Sequence, residues 1–526
     1  MTSILKYLNR ALLVLLLAAF AACSDNEGGN ESNGNGDDGN TETPADGDTY
    51  GYIKDTNGNP VEGVVVSDGY SCTATDAEGR YALTRNADAG FVFYSLPSAY
   101  KVSVDKTYKL PRFFARLQAG TARYDFTLEA LAAPEKRFDL ICIGDPQINE
   151  ASHAVRFKEE AGREIREYAA SAGVPCYGIT LGDHVNNKWT LFTNMVVALQ
   201  PEQTGVPVFA TIGNHDHEFP TADEKAARAK YESYFGPVDY SFNRGDVHVV
   251  SMDNVIHSCK ASADYEGGFT AAQYAWLKQD LSFVPKDKMV ILCVHIPFRG
   301  GWGTNSAHAD ADKYYDEVLD LLSQYEYAAI MSAHTHSNIN YIHRKNGKEI
   351  FEHVTGTTCG AWWRSTVCTE GTPIGFGLYR IDGNRMEEWA YRSVRHDEQF
   401  QIRLYRASDT FVGGAKYRFK QTGADQIVAN IWNWDPSWTV NVYENDVLSG
   451  QMTRNSDIDA WTVAYHIGLL NNTDSYRKSS DHMFHYTLKN PAADVKVEAI
   501  DRFGNKYEQT VFTDPAEHPG DFHADF

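Results

Sequence analysis

Asp145 and Gln147, Asp183, Asn214 and His215, His295, and His334 and His336 are the residues whose types and settings could do chemistry in this chain. Carboxylate, amide and imidazole groups are oxygen and nitrogen donors, and a mixed set of them suits borderline divalent ions such as Mn, Fe, Co or Zn. None stands out alone: a lone Gly-Asp or His-x-His is weak, and a single histidine is more often a hydrogen-bonded core residue. Their common setting distinguishes them, because each group follows a short apolar run. Residues 138–143 lead into Gly144-Asp145-Pro146-Gln147, 176–181 into Gly182-Asp183-His184, and 206–212 into Gly213-Asn214-His215-Asp216. Residues 289–294 lead into His295, and 328–332 into Ala333-His334-Thr335-His336.

Runs of this length, rich in β-branched residues and bounded by turn signals, predict buried strands. In open α/β sheets ligands gather outside the carboxyl ends of the strands. The donors are therefore expected to converge on one rim as a metal site, and a catalytic one. Between the runs lie amphipathic stretches. Residues 152–170 place Phe157, Ala161 and Ile165 on one helical face. Thr270-Ala271-Ala272-Gln273 matches a capping box ahead of a helix over 274–281, and 312–325 is a third helix. This alternation over 137–395 predicts an α/β sandwich with its sheets enclosed by helices.

The flanks differ in texture. Residues 50–132 carry short alternating strands punctuated by Gly, Asn and Asp, which predicts a small all-β sandwich; the segment resembles the regulatory-like sandwich found beside some carboxypeptidases. Residues 400–526 turn β-rich again, with alternating strands around Ile431 and Val440, and predict a second all-β sandwich. Residues 24–49 are Gly, Asn, Asp, Glu and Thr with almost nothing apolar, as expected of a flexible tether. Before them, Lys6 and Arg10 precede an apolar run too short to span a bilayer. That pattern reads as a secretory signal. Residues 1–23 end in Phe20-Ala21-Ala22-Cys23, which resembles a bacterial lipobox with Phe20 in place of the usual leucine. The resemblance implies lipidation of Cys23 and an extracytoplasmic protein anchored to a bacterial membrane, in the periplasm or at the cell surface.

A formal charge of −22 argues against a nucleic-acid polymer as partner. Eight cysteines, one of them Cys23, form no disulfide framework; one bridge, Cys359 to Cys368, is conceivable.

Taken in order, the five clusters resemble the calcineurin-like metallophosphoesterase superfamily, whose pattern is D-x-H, G-D, G-N-H-D/E, a lone His and G-H-x-H. The resemblance implies a first metal held by Asp145, Gln147, Asp183 and His336, and a second held by Asp183, Asn214, His295 and His334, with Asp183 bridging. It implies hydrolysis of a phosphomonoester or phosphodiester by a hydroxide bridging two divalent ions. His215 would face the leaving-group oxygen as general acid or hydrogen-bond donor, oriented by Asp216. A bridging carboxylate suits ions about 3.5–4 Å apart, the separation that clamps an in-line displacement. Two departures from the pattern matter. Gln147 replaces the first histidine, and a neutral amide oxygen favours Mn or Mg-like ions over Zn. Ala333 replaces the glycine before His334. Purple acid phosphatases carry a tyrosine where this chain has Asn186, and Ser/Thr protein phosphatases carry Asp-Arg-Gly where it reads Asn186-Asn187-Lys188, which speaks against both subfamilies.

Arg299 and Trp302 follow His295, and Trp362, Trp363 and Arg364 follow the His-x-His strand. Tryptophans projecting over the rim would stack on a base or sugar ring and arginines would pair with phosphate oxygens. The expected partner is a small phosphorylated substrate such as a nucleotide, sugar or lipid phosphate. The competing reading is a surface glycan-binding or adhesion lipoprotein with a catalytically silent core.

Overall fold

The computed structural model describes residues 47–299, 313–408, 419–471 and 476–514. Its centre is a pair of mixed sheets. One runs in the order Val208–Thr211, Cys176–Leu181, Arg137–Ile143, Gly375–Asp382, Arg385–Ser393. Its first three strands are parallel and the last two antiparallel. The other runs Tyr240–Arg244, Val247–Ser251, Met289–Cys293, Tyr327–Ser332, Lys348–Val354, Ile339–Lys345. Here the four inner strands are parallel and the edges antiparallel.

All five predicted strands are thus present, three in one sheet and two in the other, each buried along nearly its whole length. Strands covered on both faces have no reason to alternate, which is why they read as continuous apolar runs. Leu140, Ile179 and Phe209 from the first sheet share one cluster with Phe242, Ile291 and Ile330 from the second, and the Phe209 and Phe242 rings stack at 3.8 Å. Helices cover the outer faces. Phe157, Ile165, Phe192 and Tyr231 pack on Ile141 and Val208, while Trp276, Leu277, Val318 and Leu322 cover the second sheet. The capping box of Thr270 and Gln273 is formed at the start of helix Ala271–Asp280.

The expected helix over 152–170 is interrupted. It runs as Ala151–Phe157, a π-turn Lys158–Gly162, and Arg163–Ser171. Phe157, Ala161 and Ile165 remain buried, but so do Arg156, Glu160 and Glu164. A π-turn inserts one residue and often marks a functional site; here it accompanies a buried ion pair, Arg156 Nε to Glu160 at 3.0 Å.

Both flanks are paired sheets. The N-terminal one combines Arg80–Leu83, Thr49–Asp55 and Phe126–Leu128 with Cys72–Ala74, Val65–Ser67, Phe91–Tyr94 and Phe114–Arg116. Trp276 Nε1 donates to Ser67 Oγ across its junction with the centre at 3.0 Å. The C-terminal flank combines two four-stranded sheets over a core that includes Leu404, Ala429, Val442 and Val497. Arg502 lies over Phe351 at 4.0 Å, and Asn338 Nδ2 donates to Trp432 O at 2.8 Å, joining it to the centre.

The conceivable Cys359–Cys368 bridge is not formed: all cysteines of the described residues are free thiols. Each has its own buried partner instead. Cys359 Sγ lies 3.9 Å from His336 Nδ1, and Cys368 Sγ 3.6 Å from Thr357 Oγ1.

Candidate metal centre

The donors leave the strand ends in an uncommon backbone state. Asp145 (φ 38°), Gln147 (φ 36°), Asp183 (φ 52°), His334 (φ 67°) and His336 (φ 54°) all adopt the left-handed region. For a non-glycine residue this costs on the order of 1–3 kcal/mol and persists only where the surroundings over-determine it, as at ligand clamps. Each chain leaves a buried strand and must turn its donor at once toward the rim. The positive φ falls on His334 and not on Ala333, so the missing glycine before it adds no strain. Two glycines make the approach possible: a Cβ on Gly213 would collide with Asp183, and one on Gly182 would lie 2.5 Å from His295 Nδ1.

Asp183, His295 and His334 present donor atoms within 4.8 Å of one another, all buried. His295 Nδ1 donates to Leu181 O at 2.7 Å, which leaves Nε2 facing the centre. That Nε2 lies 2.9 Å from Asn214 Oδ1, 3.1 Å from His334 Nδ1 and 3.4 Å from Asp183 Oδ1. Lone pairs aimed at one another require a shared cation, either a proton or a metal ion. Without a metal, burial pulls the His295 pKa down, but the Asp183 carboxylate outweighs it and raises it to about 9. Burial likewise works to raise Asp183, and His295 and His215 hold it below the usual carboxylate range.

Nearby stand two buried oxygens, Asp145 Oδ1 and Gln147 Oε1, neither with a hydrogen-bond partner among the described residues. Gln147 donates its Nε2 to Asp183 Oδ2 at 3.2 Å, and His336 Nε2 lies 3.6 Å from Asp145 Oδ1. Burial pushes Asp145 well up, and burial brings His336 down to about 3, so this imidazole is neutral as a ligand must be. Unsatisfied buried oxygens beside neutral imidazoles and a carboxylate are the donor chemistry of a divalent ion. The residues therefore fit a divalent cation at Asp183, His295 and His334, with Asp145, Gln147 and His336 as further donors beside it.

The loops are pinned from behind. Asn254 Oδ1 accepts from the amides of His295 and Ile296 at 3.1 and 3.0 Å. Asp145 Oδ2 accepts from His334 N at 3.0 Å, and Asp183 Oδ1 from His215 N at 2.8 Å. His217 lies 2.9 Å from Gly213 O and 3.1 Å from Asp253. Asp216 does not orient His215. Its carboxylate accepts from the amides of Gly213, His184 and Val185 and pairs with His184 Nδ1 at 2.9 Å, tying two ligand loops together. His215 is held by Asn187, whose Oδ1 lies 2.9 Å from Nδ1, so that Nε2 faces Asp183 Oδ2 at 4.0 Å.

The residues expected to bind substrate separate. Trp362 packs its ring against His336 at 4.8 Å and, with Arg364, lines a cleft of about 380 Å³ that Gln147, Asn149, Asn186 and Tyr476 complete. Trp363 is turned inward, 6% exposed, with its indole N–H on Pro146 O; it is a buttress and not a cleft wall. Trp362 and Trp363 both adopt positive φ, 51° and 64°. Arg299 lies over the Tyr341 ring at 5.5 Å and is not among the residues lining this cleft. Trp302 and Cys23 fall outside the described residues. Sequence reasoning missed Asn187, Asn254, Tyr265 and Tyr476; only Asn187, four residues past Asp183, carried a positional hint.

Two mixed sheets between helices, with metal donors gathered at the strand ends, define a metallo-phosphoesterase-like α/β sandwich. Residues 124–338 match the family Calcineurin-like phosphoesterase, 48–131 the N terminal of Calcineurin-like phosphoesterase, and 352–507 the C terminal of Calcineurin-like phosphoesterase. The chain belongs to the calcineurin-like phosphoesterases. It is similar to purple acid phosphatase 23 of Arabidopsis thaliana, 26% identical over 181 residues, 31% of this chain and 36% of that protein. Purple acid phosphatase 18 of the same plant is 25% identical over 182 residues, 32% of this chain and 38% of that protein. The match thus spans about a third of the length of these relatives, whose names are those of a subfamily that Asn186 spoke against. Among solved structures, a dimetal phosphatase from Danio rerio aligns over 50% of this chain and 99% of its own, at 12% identity and a TM-score of 0.35.

Proposed function

We propose that the protein is a metal-dependent hydrolase of small phosphate esters. The observation that carries this reading is the buried Asp183–His295–His334 cluster, with the unpartnered Asp145 Oδ1 and Gln147 Oε1 on the residues that contact it. Asp145, Gln147, Asp183 and His336 would hold one ion and Asp183, Asn214, His295 and His334 the other. When bound, such a pair supplies Lewis acidity toward the phosphoryl group and a lowered pKa for water. Gln147 favours Mn among Mn, Fe, Co and Zn, because its amide oxygen is neutral and hard.

The chain's own residues do the rest. Asn187 accepts from His215 Nδ1–H, so His215 Nε2 faces the Asp183 side of the centre. From there a protonated Nε2 donates to the leaving oxygen as the ester P–O bond breaks, while a water bonds to phosphorus and gives one proton to solvent. Such a donor contributes roughly 10²–10⁴ in rate. The cleft beside Gln147 receives the leaving group, with Trp362 offering an aromatic face and Arg364 a cation. The lipobox-like Cys23 supports anchoring outside the cytoplasm.

The test is hydrolysis of a paired aryl phosphomonoester and phosphodiester by the chelated full chain, with Mn, Fe, Co or Zn restored in turn. Metal-restored turnover supports the reading, and the better ester sets the substrate class. Turnover of neither ester with any metal contradicts it.

A further inference from the structure

We propose that Tyr265 is a catalytic residue whose phenolic O–H donates a hydrogen bond to a phosphoryl oxygen of the ester at the Asp183 centre. This rests on the phosphoesterase reading above. Tyr265 lies on strand Tyr265–Gly267, paired antiparallel with Val255–His257. No cluster in the sequence points to it; the geometry does.

His334 Nδ1 lies 3.1 Å from His295 Nε2, so Nδ1 is the nitrogen turned toward the donor cluster. A neutral imidazole carries one proton, and with Nδ1 a lone pair that proton is on Nε2. His334 Nε2 is 3.3 Å from the Tyr265 hydroxyl oxygen, with the rings edge to face at 5.7 Å. The imidazole therefore donates and the phenol oxygen accepts. The hydroxyl keeps its own proton, for which no acceptor stands among the described residues. Tyr265 is only half-buried, and its hydroxyl sits beside a donor of the centre, 3.3 Å from His334 Nε2.

The ring is held in place. It stacks on His257 at 6.3 Å, which stacks in turn on His217 at 5.6 Å. At the strand's end Gly267 is seated so closely that a Cβ there would lie 2.6 Å from Tyr315 Oη and 2.8 Å from Ile296, the residue after His295. The segment joining the two strands also reaches the proposed acid. Ser262 Oγ accepts from Asn187 Nδ2 at 3.0 Å, and Asn187 holds His215. One hairpin thus fixes two donors, His215 Nε2–H and Tyr265 O–H, beside Asp183. In the reaction His215 gives its proton to the leaving oxygen. Tyr265 keeps its proton and stabilises charge on a non-bridging oxygen.

The experiment compares wild type and Tyr265→Phe as full chains reconstituted with Mn. It reads three quantities: aryl phosphate turnover, affinity for tungstate as a phosphate-like oxyanion, and bound metal. Removing one preorganised donor of this kind costs about 10²–10³ in kcat. We expect kcat to fall by at least tenfold, tungstate to bind about tenfold more weakly, and metal content to stay unchanged. A kcat and a tungstate affinity within twofold of wild type would overturn the role, as would loss of metal in step with loss of rate. A wild type that turns over no ester refutes the phosphoesterase reading instead, and the tungstate arm then decides on Tyr265 alone.

Discussion

The indole Nε1–H of Trp363 donates to the carbonyl oxygen of Pro146 at 2.8 Å, inside the loop that carries Asp145 and Gln147. Behind it, Arg156 Nη1 donates to Trp363 O at 2.7 Å, and Arg156 and Arg395 converge on Glu160. The ion pair at the π-turn therefore reaches the two orphaned oxygens through one tryptophan.

Trp363→Phe keeps the ring and removes the donor. Partners of this kind tune metal affinity by about 10–100-fold. We expect the affinity of one of two ions to fall by about tenfold while the other is retained, as read by titration calorimetry. Equal weakening of both ions, or of neither, would show that the indole does not steady the Asp145–Gln147 loop.

Asn187→Ala removes the acceptor that holds His215. The expected outcome is a fall in kcat of about 10²-fold, the low end for a general acid, with bound metal unchanged. Steady-state kinetics beside elemental analysis checks this. A parallel loss of metal would place Asn187 in the scaffold of the centre and not in the aim of His215.

His466 ties the C-terminal flank to the cleft, with Ser365 Oγ 2.6 Å from Nε2 and Tyr476 O accepting from Nδ1 at 2.7 Å. Burial brings its pKa down to about 4, against about 6.5 unfolded. The unfolded chain therefore takes up a proton first as pH falls. Stability is undiminished above about pH 6.5 and is lost progressively toward about pH 4, at roughly 1.4 kcal/mol per unit. Urea midpoints at pH 7.5 and 5 should drop on the acid side, and less so in His466→Gln. An unchanged slope in the variant would contradict the assignment.

Chelation should lower thermal stability, because it leaves the Asp183 lone pairs and the Asp145 and Gln147 oxygens without a cation. Mn at a hundredfold over its dissociation constant would restore about 2.7 kcal/mol per site. Scanning calorimetry of stripped and reloaded protein reads this directly; a melting temperature indifferent to metal would contradict it.

Much of the fold was legible because the ligand-bearing strands are buried on both faces and so write continuous apolar runs that stop at their donors. Gly144, Gly182 and Gly213 marked the turns. The helix over 152–170 was legible as an apolar face, but its π-turn was not, since Arg156 and Glu160 show ordinary i,i+4 spacing whether exposed or buried. The partners of the donors were the least legible part. Asn187 belongs to a connection and Tyr265 to a three-residue strand, both placed by tertiary packing, and no residue type announces that Trp362 lines the cleft while Trp363 is buried. Asp216 illustrates the limit: adjacency to His215 suggested a contact, yet its carboxylate serves three amides and His184.

The most direct test is the metal content of the Mn-reconstituted full chain, wild type and Asp183→Asn, by elemental analysis after exhaustive dialysis. Shared ligation by Asp183 predicts two ions per chain in the wild type and loss of both in the variant. One ion retained by Asp183→Asn would show that Asp183 does not bridge, and no bound metal in the wild type would contradict the centre itself.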